Sequence, residues 1–347
     1  MLDHQLFEYF LSFLLAFSIA FVISPKILVM LRKLNFGQEI RQEGPQSHLS
    51  KAGTPTMGGV VFIIAIIAST LILNFRTFSK VYLFLLYLLL FALVGFMDDY
   101  VKVINKRNLG LTSKQKLLVQ IVFALILTLL SLKNSAWDTN IILPFTSYRI
   151  KLGMFYIPFT VLTIVATTNS VNLTDGLDGL ASSVTSIAML ALGIIAMNMS
   201  FISESMFAFA VTGGCLGFLR INAYPAKSFM GDTGSMALGG AVCAVAISMN
   251  MHLIIILVGL VYLIESLSVI IQVIAYKRFK KRVFKMSPFH HHLELSGYKE
   301  TKVVGIFCIV TAIMSIISIL SFLSSISSFA IFILRGVKSS SLSPSLS

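Results

Sequence analysis

Asn169–Leu180 reads Asn-Ser-Val-Asn-Leu-Thr-Asp-Gly-Leu-Asp-Gly-Leu and lies between two long apolar stretches, where a membrane hairpin requires only a polar turn. Asn169, Asn172, Asp175 and Asp178 recur at every third position, and a glycine follows each aspartate. On a helix or a helix end these four side chains project near one another and converge on one site. Glycine beside each acid lets the backbone approach a ligand closely. Carboxylates, amides and open backbone suit a hard cation with phosphate groups better than a soft metal. The plain alternative is a helix-capping turn, which Asp, Asn and Gly also favour. A cap requires one such residue, not two amides and two acids.

The stretches on either side of this motif decide the fold class. The 347 residues are 56% hydrophobic and 12% charged, with a mean hydropathy of +0.90. A soluble domain carries roughly twice that charged fraction. The chain is therefore expected to be an all-α polytopic membrane protein. Residues 1–334 are read as one membrane domain and 335–347, Ser-rich from Ser339 to Ser347, as a disordered tail. The first apolar run begins near Leu6 behind Asp3, without a basic leader or a small-residue cleavage site, and reads as a retained helix. Cys215, Cys243 and Cys308 lie inside apolar runs without metal spacing and read as packing residues.

Ten apolar runs are candidate spans: 6–30, 57–74, 81–97, 117–132, 154–171, 181–199, 206–221, 235–251, 253–276 and 303–325. The 253–276 run is longer than a straight crossing requires, which points to a tilt, bend or break. Ten spans put both termini on one side. One set of loops, with the adjacent Lys26 and Arg220, carries 20 of the Lys and Arg residues, and the opposite set carries seven. The positive-inside rule makes the first set cytoplasmic and both termini external. The net charge of +13 thus belongs to membrane topology rather than to nucleic acid. Trp137–Gly153 alternates weakly and suggests a small external hairpin.

All the polar motifs fall on the cytoplasmic side of this arrangement. Asp98-Asp99 closes the third run, where adjacent carboxylates repel unless they share a cation or proton; a solvated helix end is the equal alternative. The following loop holds Lys102, Lys106, Arg107, Lys114 and Lys116. Most of that charge fits anionic lipid heads, but Lys116 begins the fourth run and can point inward. Lys51-Ala-Gly-Thr-Pro-Thr-Met-Gly-Gly59, which includes Thr56, offers phosphate a close approach without being a Walker motif, or reads as a rigid turn leading into a helix. Asn222–Ser235 contains Ser-Phe-Met-Gly-Asp-Thr-Gly-Ser, where Asp232 reads equally as a cation ligand or a helix N-cap. An intramembrane aspartyl protease is excluded, because Phe229 stands where its first glycine belongs and no Tyr-Asp pair occurs. His290-His291-His292 follows Ser287-Pro288 in the most basic loop, where one or two imidazoles can meet a phosphate or trade a proton. Glu265 and Gln272 share a face of the ninth run; Glu265 reads as a structural partner and Gln272 as a ligand contact. His4, His48 and His252 have no partners in sequence.

With no nucleotide-binding domain in the chain, this convergence points to phosphoryl chemistry between a soluble donor and a lipid acceptor. Mg²⁺ would bridge the phosphate oxygens. The ordered motifs Thr-Pro-Thr-Met-Gly-Gly (54–59), Asp98-Asp99, Asn-Leu-Thr-Asp-Gly-Leu-Asp-Gly-Leu (172–180), Gly-Asp-Thr-Gly-Ser (231–235) and His-His-His-Leu-Glu (290–294) resemble a known family. It is that of the bacterial phospho-N-acetylmuramoyl-pentapeptide transferases, within the polyprenyl-phosphate hexosamine-1-phosphate transferase superfamily.

The resemblance implies transfer of phospho-MurNAc-pentapeptide from UDP-MurNAc-pentapeptide to undecaprenyl phosphate at the bacterial cytoplasmic membrane, giving lipid I and UMP. It implies Asp232 as the Mg²⁺ ligand and Asp98 as the base on the lipid phosphate, with an aspartyl-nucleophile route as the alternative. Asp99, Asn172, Asp175 and His290 match the family's other essential polar positions. Lys51, Thr56, Lys116, Asp178, Asn222, Phe229, Gln272, Ser287 and His291 would line the nucleoside and pyrophosphate pocket. The ninth span would bend beside a groove for the polyprenyl tail, and the family suggests a homodimer. A sister transferase using UDP-N-acetylglucosamine differs only in its donor. A secondary transporter would show mid-span acids and repeated halves, which this chain lacks. A CDP-alcohol phosphotransferase fails for want of an Arg after Asp-Gly-Leu-Asp-Gly-Leu-Ala.

Overall fold

The computed structural model describes residues 2–33, 51, 53–73, 78–104, 110–146 and 148–340. The helices are α1 (Leu2–Lys33), α2 (Val60–Leu73), α3 (Phe78–Ile104), α4 (Ser113–Asn134), α5 (Tyr156–Thr174), α6 (Leu180–Asn198), α7 (Ile202–Asn222), α8 (Gly231–Ser248), α9 (Ile254–Val258), α10 (Leu260–Phe279), α11 (Phe289–Glu294) and α12 (Glu300–Ser340). Eight described helices are long and apolar enough to cross a membrane, and α2 is a shorter apolar helix. The protein is an all-α polytopic membrane protein. Each of the ten apolar runs overlaps one or more of these helices. Lys106, Arg107, His48 and 341–347 lie outside the described residues.

The centre of the bundle is α8, in which every residue from Thr233 to Ile247 is buried. Its composition, Gly-Asp-Thr-Gly-Ser-Met-Ala-Leu-Gly-Gly-Ala, leaves little side-chain bulk, so neighbours approach to backbone distance. α3 packs along one side and α5 along another. A Cβ on Gly95 of α3 would overlap the Asp232 carbonyl, and one on Gly239 would stand 2.6 Å from the Thr168 Cα of α5. α7 lies against α1 in the same way, with Gly217 facing the Phe17 carbonyl. The outer faces carry exposed Leu118, Ile121, Val122 and Leu125 on α4 and Ile309, Ile313 and Ile316 on α12. Such surface is suited to lipid.

The long 253–276 run breaks at Gly259, which separates α9 from α10. A side chain there would press on the Ile255 carbonyl at 2.5 Å and the Tyr262 ring at 2.8 Å. Beside the break, an apolar groove of about 210 Å³ is lined by Phe159, Leu162 and Ala166 of α5 and by Ile256, Tyr262 and Leu263. At the opposite end from the polar motifs, strands β1 (Asn140–Ile142) and β2 (Arg149–Lys151) form the hairpin anticipated from Trp137–Gly153. It is docked through the Ile142 N–H on the Asn250 carbonyl (2.9 Å).

Candidate active site at one end of the bundle

α8 begins in the interior with its first N–H groups facing no residue of its own helix, and a carboxylate from α3 meets them. Asp99 accepts the backbone N–H of Asp232 (3.2 Å), and also the N–H (2.8 Å) and hydroxyl (2.7 Å) of Thr233. Asp99 thus serves as an N-cap supplied from another helix. The cap role that the sequence offered Asp232 falls instead to Asp99, leaving the Asp232 carboxylate free to point outward.

Asp98, Asp99 and Asp232 each bring an oxygen within 4.8 Å of the others. Two ammonium groups hold this cluster. Lys116 donates to Asp232 Oδ2 at 2.6 Å, and Lys102 lies 2.6 Å from Asp98 Oδ2 and 3.2 Å from Asp232 Oδ2. Asp98 also accepts the Leu111 N–H at 2.9 Å, folding the start of the next segment over the acids. Asn172 donates to Asp232 Oδ1 (3.1 Å) and Ser235 Oγ (2.8 Å). Hard oxygen donors from three carboxylates fit a divalent cation such as Mg²⁺.

The opening motif divides its work. α5 ends at Thr174, so Asn172 is on the helix while Asp175 and Asp178 lie in the turn before α6. Asn169 does not join the site: its amide exchanges hydrogen bonds with Gln120 (2.8 and 3.2 Å) and ties α5 to α4. Burial, followed by the Asp232 and Asp99 carboxylates, pushes Asp175 up to about 8. Asp178 is paired with Lys51 (2.7 Å) and accepts the Ala226 N–H (2.9 Å). Lys51 also meets Glu300 at 2.7 Å. Burial opposes the Lys51 charge, but its two carboxylate partners outweigh it and hold the amine above the ordinary lysine range.

Thr56 and Phe229 belong to two segments that clasp each other. The Phe229 N–H donates to the Pro55 carbonyl (2.9 Å), and Gly58 N–H returns to the Phe229 carbonyl (2.8 Å). Gly231 has φ +74°, and a Cβ there would crowd Thr56 Oγ1 and Asp99 Oδ2. Asn222 is buried, accepting from Ser182 Oγ (2.8 Å) and donating to the Ser228 carbonyl (3.1 Å). Gln272 spans the loop after α10, donating to the Phe284 carbonyl and accepting the Val283 and Phe284 N–H groups. Ser287 is half-buried before Pro288, and His291 pairs with Glu294 at 2.9 Å. His290 is buried on Glu265, and its ring lies against Gly176, where a Cβ would overlap it. The glycine after Asp175 makes room for a histidine.

Lys102 and Glu300 were missed as members of these clusters. The Asp98–Lys102 spacing of four on one helix was a legible signal for the first. Nothing local pointed to Glu300, which meets Lys51 across 249 residues.

Residues 81–250 match the model of glycosyl transferase family 4, and 51–63 match phospho-N-acetylmuramoyl-pentapeptide-transferase signature 1. A Clostridium botulinum protein named phospho-N-acetylmuramoyl-pentapeptide-transferase is 47% identical over 303 residues, covering 87% of this chain and 93% of that protein. Proteins of the same name from Clostridium perfringens and Halalkalibacterium halodurans are 48% and 50% identical, over 87% and 86% of this chain and 95% and 93% of theirs. The chain belongs to the phospho-N-acetylmuramoyl-pentapeptide-transferase family. It is a membrane enzyme of this transferase kind. The matched signature spans Lys51, Thr56 and the glycines packed against Phe229 and Gly234, so it covers the segment that closes over the start of α8.

Proposed function

We propose that this transferase moves phospho-MurNAc-pentapeptide from UDP-MurNAc-pentapeptide to undecaprenyl phosphate, giving lipid I and UMP for peptidoglycan synthesis. The observation that carries the reading is the three-carboxylate, two-lysine cluster at the end of the membrane helices. A polyprenyl acceptor requires its chain in lipid and its phosphate at the membrane surface. The groove beside the α9–α10 break would hold the tail, and the acid cluster lies at the bundle end where a phosphate would sit.

Asp232 would hold Mg²⁺, with Asp98 beside it. The bound ion would neutralise pyrophosphate charge as UMP leaves. Asp98 is also the base in this reading, taking the proton of the lipid phosphate before its oxygen attacks the sugar-side phosphorus. Asp99, with both oxygens committed to the head of α8, aims Asp232 rather than reacting. Lys102 and Lys116 balance the acids and can turn to the donor's phosphates. Lys51, Thr56, Asn222, Phe229, Gln272, Ser287 and His291 would shape the donor pocket, together with Asn172, Asp175 and Asp178. His290 would contact a phosphate oxygen. One phosphoanhydride replaces another, so the reaction is reversible.

The topology of this reading has ten spans, both termini outside and the site on the cytoplasmic face of the bacterial inner membrane. Residues 1–334 would form one domain ahead of a tail, and the enzyme would work as a homodimer. The test is UMP release in detergent with undecaprenyl phosphate and Mg²⁺, offering UDP-MurNAc-pentapeptide and UDP-N-acetylglucosamine separately. Release with the first alone, reduced about 10³-fold by Asp232→Asn, is expected. Release with the second alone would reassign the donor, and no release from a folded sample would sink the transferase reaction.

A further inference from the structure

Glu265 is fully buried in α10, and its polar contacts converge on His290. Its Oε1 accepts the His290 backbone N–H (3.2 Å), and its Oε2 lies 3.1 Å from the His290 ring Nδ1. The same carboxylate therefore fixes both the first turn of α11 and the orientation of the imidazole. With Oε1 already accepting from the backbone, the Oε2–Nδ1 contact is closed by a hydrogen on Nδ1 when the carboxylate accepts it. The other ring nitrogen, Nε2, is buried without a hydrogen-bond partner among the described residues. It faces the Asp175–Gly176 turn, where the missing side chain of Gly176 leaves space for the ring.

Among the described residues Glu265 has no lysine or arginine partner, and a buried acid of that kind is costly. Packing alone would be served as well by a leucine at 265 and an aromatic ring at 290. The pair instead delivers one oriented nitrogen to the Asp175–Gly176 turn. We propose that Glu265 is a positioning residue, which fixes the His290 imidazole with Nδ1 protonated and presents Nε2 to a phosphate-bearing ligand at the Asp175–Gly176 turn. The inference rests on the transferase reading above and adds to it the group that makes His290 competent. Neighbouring charges are Asp175 on the turn and the His291 ring, whose centroid is 4.2 Å from that of His290.

The test is a double-variant cycle on UMP release with Glu265→Gln, His290→Gln and the pair. Glu265→Gln is expected to lower kcat by about 10- to 100-fold, the cost typical of losing the carboxylate behind a metal-bound histidine. Glu265→Asp, which restores the charge, recovers part of that loss. In the His290→Gln background, Glu265→Gln should cost nothing further. An additive loss, or full turnover by Glu265→Gln, would overturn the proposal.

A second measurement requires no variant of Glu265. In ¹⁵N spectra of the histidine-labelled wild type, the signal lost in His290→Gln should show a hydrogen on Nδ1, and a neutral ring bearing it on Nε2 alone would also overturn the proposal. These spectra need no turnover. A wild type that releases no UMP would count against the reaction while leaving the dyad open to this measurement.

Discussion

A carboxyl group near several others is stable only if something takes up its charge. Asp98 and Asp232 have Lys102 and Lys116, and Asp99 has the head of α8. Asp175 is left with burial and neighbouring anions, and it rises from an ordinary 3.8 to about 8. A carboxyl raised by folding favours the fold fully below about pH 4, and that contribution is lost as pH climbs through the folded value. In EDTA, the wild type should therefore melt at progressively lower temperature between about pH 5 and pH 8, and Asp175→Asn should flatten the fall. Parallel curves for the two proteins would place the pH dependence on another group. At this scale the sequence was legible where chemistry was local. Asp98-Asp99 and Asp232 stand out as acids beside apolar runs, whereas counting loop charge hid Lys102 among lipid-facing cations. Asn169 was misplaced because its partner, Gln120, lies on another helix.

Among the elements, the α3–α8 contact has the least tolerance. A methyl group on Gly95 would overlap the Asp232 carbonyl, so Gly95→Ala must push α8 outward and carry Asp232 with it. Overpacking of this kind costs about 1–3 kcal/mol. Gly95→Ala should lower the melting temperature and reduce UMP release. Gly305→Ala on α12, where nothing lies within 4 Å, should leave both at or slightly above wild type. Equal behaviour of the two variants would show that the close approach is dispensable. The apolar runs predicted helices well because the membrane requires each span to satisfy its own backbone. The excess length of the ninth run signalled its break. The position of that break was not legible, since Gly259 is one of many glycines and the Tyr262 ring that excludes a side chain there is a product of packing.

For the whole molecule, the bias of Lys and Arg between the two sets of loops is what assigns the side of the membrane. With the cytoplasmic assignment, a cysteine at exposed Lys281 should react with an impermeant maleimide only after the cells are opened. A cysteine at exposed His4 should react in intact cells. The native Cys215 and Cys243 are buried, and the half-buried Cys308 is replaced by serine in both probes. The reverse pattern would invert the topology and remove the acid cluster from soluble donor.

The Lys51–Asp178–Glu300 clasp has a consequence for biogenesis. Its members come from before the second helix, the middle of the chain and the first turn of the last helix, the outer two 249 positions apart. A chain that stopped short of Glu300 would leave this clasp half-made. The lysine then keeps one partner, and the backbone N–H of Asp178 loses the carboxylate it donates to. The last helix thus ties down the turn that follows α5, and a chain without it would hold that turn by one contact fewer.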